Sequence, residues 1–173
     1  MRRAERLRLP AQVALAALLA YALGFSLTSL FPGYLPKIGG LWSAISAIVV
    51  TQGSRKDTAS SASLRLLGSA IGAITSAVYL TLLPFHPIGM AVTIFATVLI
   101  CNAFNVPSHG RLAAITVIVI MVTASLDPTL SPGLNALLRF AESFIGTGVA
   151  VLEVRLWPAE AASSGPSSAP TRP

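Results

Sequence analysis

Six apolar runs follow one another along this chain, at 9–30, 38–52, 66–83, 88–105, 112–126 and 136–157, with proline or glycine between nearly all of them. With 54% of residues hydrophobic, 10% charged and a mean hydropathy of +0.75, 173 residues carry too little polar surface to cover a soluble globule. The lipid bilayer is the expected solvent, and an all-α integral membrane fold of six transmembrane helices is the expected architecture. The links 84–87 and 106–110 are so short that the helices they join must be antiparallel neighbours. Residues 1–8 form a basic arm, 9–158 the membrane domain, and the Ser/Pro/Ala-rich tail 159–173, which has nothing to bury, is expected to be disordered. A cleaved leader also has a basic start and an Ala-rich core, but the first run, 22 residues long, exceeds its usual apolar region.

Charge placement decides orientation and excludes several function classes. A net charge of +6 would suit a nucleic-acid binder only if Lys and Arg gathered on one soluble face, and here they sit at the ends of apolar runs. Arg2, Arg3, Arg6 and Arg8, then Arg55, Lys56 and Arg65, then Arg111, then Arg155 and Arg172 alternate with Lys37 and with two links that hold no cation. Basic loops stay in the cytoplasm, which predicts both termini inside. Cys101 is the single cysteine, so no intramolecular disulfide is possible. His86 and His109 lie in links on opposite sides, and no phosphate loop, paired carboxylate site or Cys/His spacing occurs, so neither an enzyme nor a metal or other cofactor is expected.

The two halves echo each other. Ala44-Ile45-Ser46-Ala47-Ile48-Val49-Val50 matches Ala114-Ile115-Thr116-Val117-Ile118-Val119-Ile120 at an offset of 70, and Leu64-Arg65, Ile71-Gly72 and Pro84 match Leu138-Arg139, Ile145-Gly146 and Pro158 at an offset of 74. Three spans per half invert the second copy relative to the first, giving a 3+3 inverted repeat, an arrangement that places a site near the bilayer midplane in many transporters. The second and fifth runs, each of 15 residues, reach about 22 Å, less than the roughly 30 Å hydrocarbon core. Their hydroxyls either bond back to the helix backbone or line a path; Ser46 and Thr116, at equivalent positions, are the pair most apt for the second role. Gly68 and Gly72, with Ser69, Ala73, Ser76 and Ala77, form a helix-packing face, and Tyr34, Trp42 and Trp157 near run ends are expected at the headgroups.

The stretch Leu41-Trp42-Ser43-Ala44-Ile45-Ser46-Ala47-Ile48-Val49-Val50-Thr51-Gln52, followed by Arg65-Leu66-Leu67-Gly68-Ser69-Ala70-Ile71-Gly72, resembles the fusaric-acid-resistance-like (FUSC) and aromatic acid exporter family of bacterial inner-membrane proteins. The family pattern has Trp-Ala-Ala-Ile at the start, Gln-Pro after the span, then Arg, Gly-Thr and a Gly four residues after the first; here Gly53 replaces the Pro and Ser69 the Thr. The resemblance covers nearly all of 9–158 and implies efflux of aromatic or other small organic anions from the cell; plant malate-permeable anion channels are similar in outline. Many relatives carry a large cytosolic domain after the spans, so its absence here makes a homo-oligomer or a partner membrane protein the expectation.

Arg139 and Glu142 stand one helical turn apart in the sixth run, on the outer side, where neither the positive-inside rule nor the helix dipole favours a cation. They form either a salt-bridged pair reaching the outer headgroups or a counter-charge for an anionic substrate, with Arg65 as the repeat equivalent on the inner side. Residues expected to contact substrate are Trp42, Ser46, Gln52, Arg65, Thr116, Arg139 and Glu142. The alternatives to a transporter are a non-transporting membrane assembly module and an anion channel.

Overall fold

The computed structural model of the chain describes residues 2–104, 107–127 and 129–157, with side chains for 7–104, 110–127 and 129–157. The expected disorder of 159–173, and the side chains of Arg2, Arg3, Arg6, His109 and Arg172, lie outside the described residues. The described residues form six helices and no strand: α1 (Arg2–Ser29), α2 (Pro36–Val50), α3 (Arg55–Leu82), α4 (Pro87–Ala103), α5 (Pro107–Leu126) and α6 (Pro132–Leu156). Proline opens α2, α4, α5 and α6, where its missing N–H would have no partner and its fixed φ is already helical. At α4, His86 Nδ1 also accepts from the Ile88 amide at 3.2 Å. Ser54 opens α3: its hydroxyl oxygen accepts from the Asp57 amide at 3.1 Å, and the Asp57 carboxylate suits the positive helix end. That cap lets α3 begin well before the apolar run that announced it. Gly33, at φ +87°, turns the link from α1 to α2.

α1 lies along α2, α2 against α6, α6 against α3, α3 against α5 and α5 against α4; α1 also meets α6, and α4 meets α3. The polarity of this bundle is reversed relative to a soluble domain. Arg65, Arg139 and Glu142 are among its largest fully buried side chains, whereas Phe104 and Leu156 are 75% and 82% exposed. Water would oppose both placements; lipid outside and a polar interior reconcile them. Two helical stretches, Leu7–Ser29 and Arg55–Leu82, are long and apolar enough to cross a membrane, while Pro36–Val50, Pro87–Ala103 and Gly110–Leu126 are apolar but shorter.

Trp42 departs from its expected place at the headgroups. It stands near the middle of α2, only 3% exposed, and its indole N–H donates to the Arg139 carbonyl at 3.0 Å. A buried indole needs such an acceptor. Gly68 and Gly72 are buried as a packing face should be, and the surface Gly72 meets is α5: a Cβ there would lie 2.5 Å from the Ala113 carbonyl oxygen.

Candidate functional site

Three helices converge on one carboxylate. Glu142 on α6 accepts from Arg139 Nη2 at 2.9 Å and from the Thr28 hydroxyl of α1 at 2.6 Å, both on Oε1. Gly39 of α2 permits the approach, since a Cβ there would overlap the Thr28 hydroxyl and come 2.7 Å from Glu142 Oε1. Above the Arg139 carbonyl, the Trp42 indole carries the contact across to α3: Arg65 lies over the Trp42 ring at 4.5 Å and donates from Nε and Nη2 to Ser46 Oγ at 3.2 and 3.0 Å. The Ser46 hydroxyl in turn donates to the Trp42 carbonyl at 2.8 Å. A single tryptophan thus joins two arginines that stand 74 residues apart in the chain.

Arg139 is incompletely paired. Its Nε and Nη1 are buried without a hydrogen-bond partner, and so is Glu142 Oε2. Arg139 also lines a cavity of about 220 Å³ whose other walls are Gly33, Tyr34 and Leu35 from the α1–α2 link, Ile38 of α2, Thr123 and Leu126 of α5, and Asp127 and Leu130 from the α5–α6 link. An unpaired buried N–H costs roughly 1–3 kcal/mol and more when charged. At the rim, the Thr129 hydroxyl and amide both donate to Asp127 Oδ1, at 2.6 and 2.9 Å. Those bonds, the hydroxyl's first, hold the Asp127 carboxyl below its ordinary range, so it is anionic at neutral pH.

Five of the seven residues singled out from sequence, Trp42, Ser46, Arg65, Arg139 and Glu142, form one connected network. Thr116 stands outside it: its hydroxyl donates back to the Leu112 carbonyl at 3.1 Å and lies 3.5 Å from Ser69 Oγ, which donates to Ser143 Oγ at 3.2 Å. Gln52 stands apart beyond the end of α2, where its backbone N–H donates to Thr58 Oγ1 at 3.0 Å. Only Arg139 of the seven lines the cavity. Sequence reasoning did not find Thr28 or Asp127, nor Tyr34 as a cavity wall.

Removing one member of the pair isolates its energetics. Glu142→Leu is expected to destabilise the protein by about 3–5 kcal/mol, because Arg139 is left buried and uncompensated. Glu142→Gln also leaves the Arg139 charge uncompensated but keeps acceptors for Thr28 and Arg139, so it should lose less than the Leu variant by about 1 kcal/mol or more. Denaturant unfolding in mild detergent measures both, and equal stability of the Leu and Gln variants would contradict the assignment.

Residues 15–152 match the family model described as fusaric acid resistance protein-like. No curated protein and no solved structure matches the chain.

Proposed function

The chain belongs to the fusaric acid resistance protein-like family, and on that premise we propose that it is an efflux protein for small organic acids, aromatic ones among them, working as an oligomer in the bacterial inner membrane with both termini in the cytoplasm. The observation that carries this proposal is Arg139, a buried guanidinium with two N–H positions unpaired at the wall of a small cavity. A carboxylate is the acceptor that such a fork suits best. Arg139 receives the anion on the outer side, Glu142 orients the guanidinium, and Arg65 with Ser46 serves the same anion on the inner side.

All six helices cross the membrane in this proposal, as an inverted 3+3 repeat. Two relations support that. A Cβ on Gly72 would meet the Ala113 carbonyl and the Thr116 side chain, and a Cβ on Gly146 would meet the Ser43 carbonyl and the Ser46 side chain, residues that precede Ala113 and Thr116 by 70. The helix contacts also exchange in pairs, α1–α2 with α4–α5, α2–α6 with α5–α3, α1–α6 with α4–α3 and α2–α3 with α5–α6, leaving α3–α6 at the centre, where Ser69 bonds to Ser143 at an offset of 74. Rocking of one half against the other would then expose the two arginines alternately.

Oligomerisation draws support from an apolar groove of about 550 Å³ between α1 and α6, lined by Leu15, Leu19, Leu152 and Leu156 among others. Glu153 lies on that groove with both carboxylate oxygens buried and unpaired, a place for a donor from another subunit. The same groove favours the second proposal, a membrane module that assembles with another protein and transports nothing. Liposomes holding the purified chain and loaded with a labelled aromatic carboxylate distinguish the two: release above protein-free vesicles is expected. Silence with several acids would contradict transport.

The topology has its own test. Lys56 and Thr129 are exposed at opposite ends of the bundle, unlike Thr58, which is 1% exposed. Cysteine at Lys56 in a Cys101→Ala background should label only from the cytoplasm, and cysteine at Thr129 only from outside. Labelling of both from one side would contradict the inverted arrangement.

A further inference from the structure

We propose that the cavity at Arg139 takes an acid that also carries a cationic group on the end of the molecule remote from its carboxylate, a zwitterion built on about one ring; this rests on the acid-transport proposal above. The charges of the site lead there. Arg139 is already matched by Glu142 at 2.9 Å, and Asp127 adds a second carboxylate at the rim. The sum over these groups is one negative charge, and Lys37, exposed on the first turn of α2, does not line the cavity. A plain monocarboxylate would therefore enter against net repulsion, although Arg139 has two nitrogens, Nε and Nη1, without a partner.

The two poles stand on different segments. The Arg139 backbone lies seven residues into α6, about 10 Å along the axis at 1.5 Å per residue, whereas Asp127 precedes that helix on the α5–α6 link. Thr129 occupies Oδ1 of Asp127 through two hydrogen bonds, and Oδ2 has no protein partner among the described residues. The remaining walls are mostly aliphatic, with Leu35, Ile38, Leu126 and Leu130, and their polar members are Thr123 and Tyr34, whose hydroxyl is buried. A cavity of about 220 Å³ is smaller than the roughly 300–1,000 Å³ of drug-sized sites, which limits the apolar body to one ring or its aliphatic equivalent. A carboxylate at Arg139, a mostly apolar middle and an ammonium at Asp127 Oδ2 match the charges and the aliphatic walls together.

The test measures binding of three probes of one shape to the full chain in detergent at neutral pH by calorimetry: para-(aminomethyl)benzoate, para-methylbenzoate and para-methylbenzylamine. The zwitterion is expected to bind about tenfold more tightly than para-methylbenzoate, as one added charge-assisted hydrogen bond provides. Asp127→Asn keeps an acceptor for Thr129 and should abolish that preference, tightening para-methylbenzoate because the repelling charge is gone, whereas Arg139→Gln should weaken both acids. Equal or tighter binding of para-methylbenzoate to the wild type, or a preference that survives Asp127→Asn, would overturn the inference and leave acid transport standing. Failure of folded wild-type protein to bind either acid, or tighter binding of the amine than of both acids, would overturn the acid-transport proposal and this inference with it.

Discussion

Gly146→Ala is expected to destabilise the bundle by about 3 kcal/mol or more, at the upper end of what overpacking costs, while Gly148→Ala on the same helix is expected to be neutral or stabilising by about 0.5–1 kcal/mol. The difference lies in what the added carbon meets. At Gly146 it overlaps the Ser43 carbonyl oxygen and comes 2.9 Å from Ser46 Cβ, whereas at Gly148 nothing lies within 4 Å. The obstacle at Gly146 is backbone, which no rotamer change can clear, so α2 must move off α6. Trp42 immediately precedes Ser43, and its bond to the Arg139 carbonyl at 3.0 Å would stretch in the same movement. Denaturant titration in mild detergent, read against Gly148→Ala, checks this. Equal stability of the two variants would show that α2 and α6 do not depend on contact at that glycine.

The helices were largely legible because hydropathy and proline act locally. Each apolar run between Pro or Gly punctuation became a helix, and Pro36, Pro87 and Pro132 stand at helix starts as the chemistry of a missing N–H requires. The start of α3 was not legible from hydropathy, since Arg55 to Ser63 is polar; it is Ser54 and Asp57 that hold the helix there. Trp42 misled because an aromatic residue beside a link resembles a headgroup anchor, while its actual position depends on an acceptor 97 residues away on α6.

The site divides along the same line. Arg139 and Glu142 could be read as a pair because three residues on a helix bring side chains together, and Ser46 and Arg65 stood out through the repeat. Thr28 is 114 residues from Glu142 and carries no local signal of that contact. Tyr34 and Asp127 come from two different links, and nothing in either link indicates that both face one cavity. Gln52, expected among the substrate contacts, lies beyond the end of α2, where its backbone N–H donates to Thr58 Oγ1 at 3.0 Å and its side chain donates to the Val49 carbonyl at 3.4 Å.

Central to the account is that the anion's charge is met at Arg139. The direct measurement is efflux of a labelled aromatic acid from liposomes holding wild-type protein, Arg139→Lys, or the double variant Arg139→Gln with Glu142→Gln, which removes both charges so that neither is left buried alone. Loss of two charge-assisted hydrogen bonds to the substrate predicts at least about a hundredfold fall in flux for the double variant, with assembly in detergent unchanged. Arg139→Lys keeps the charge without the fork and should retain part of the flux. Wild-type flux from a folded double variant would contradict the account.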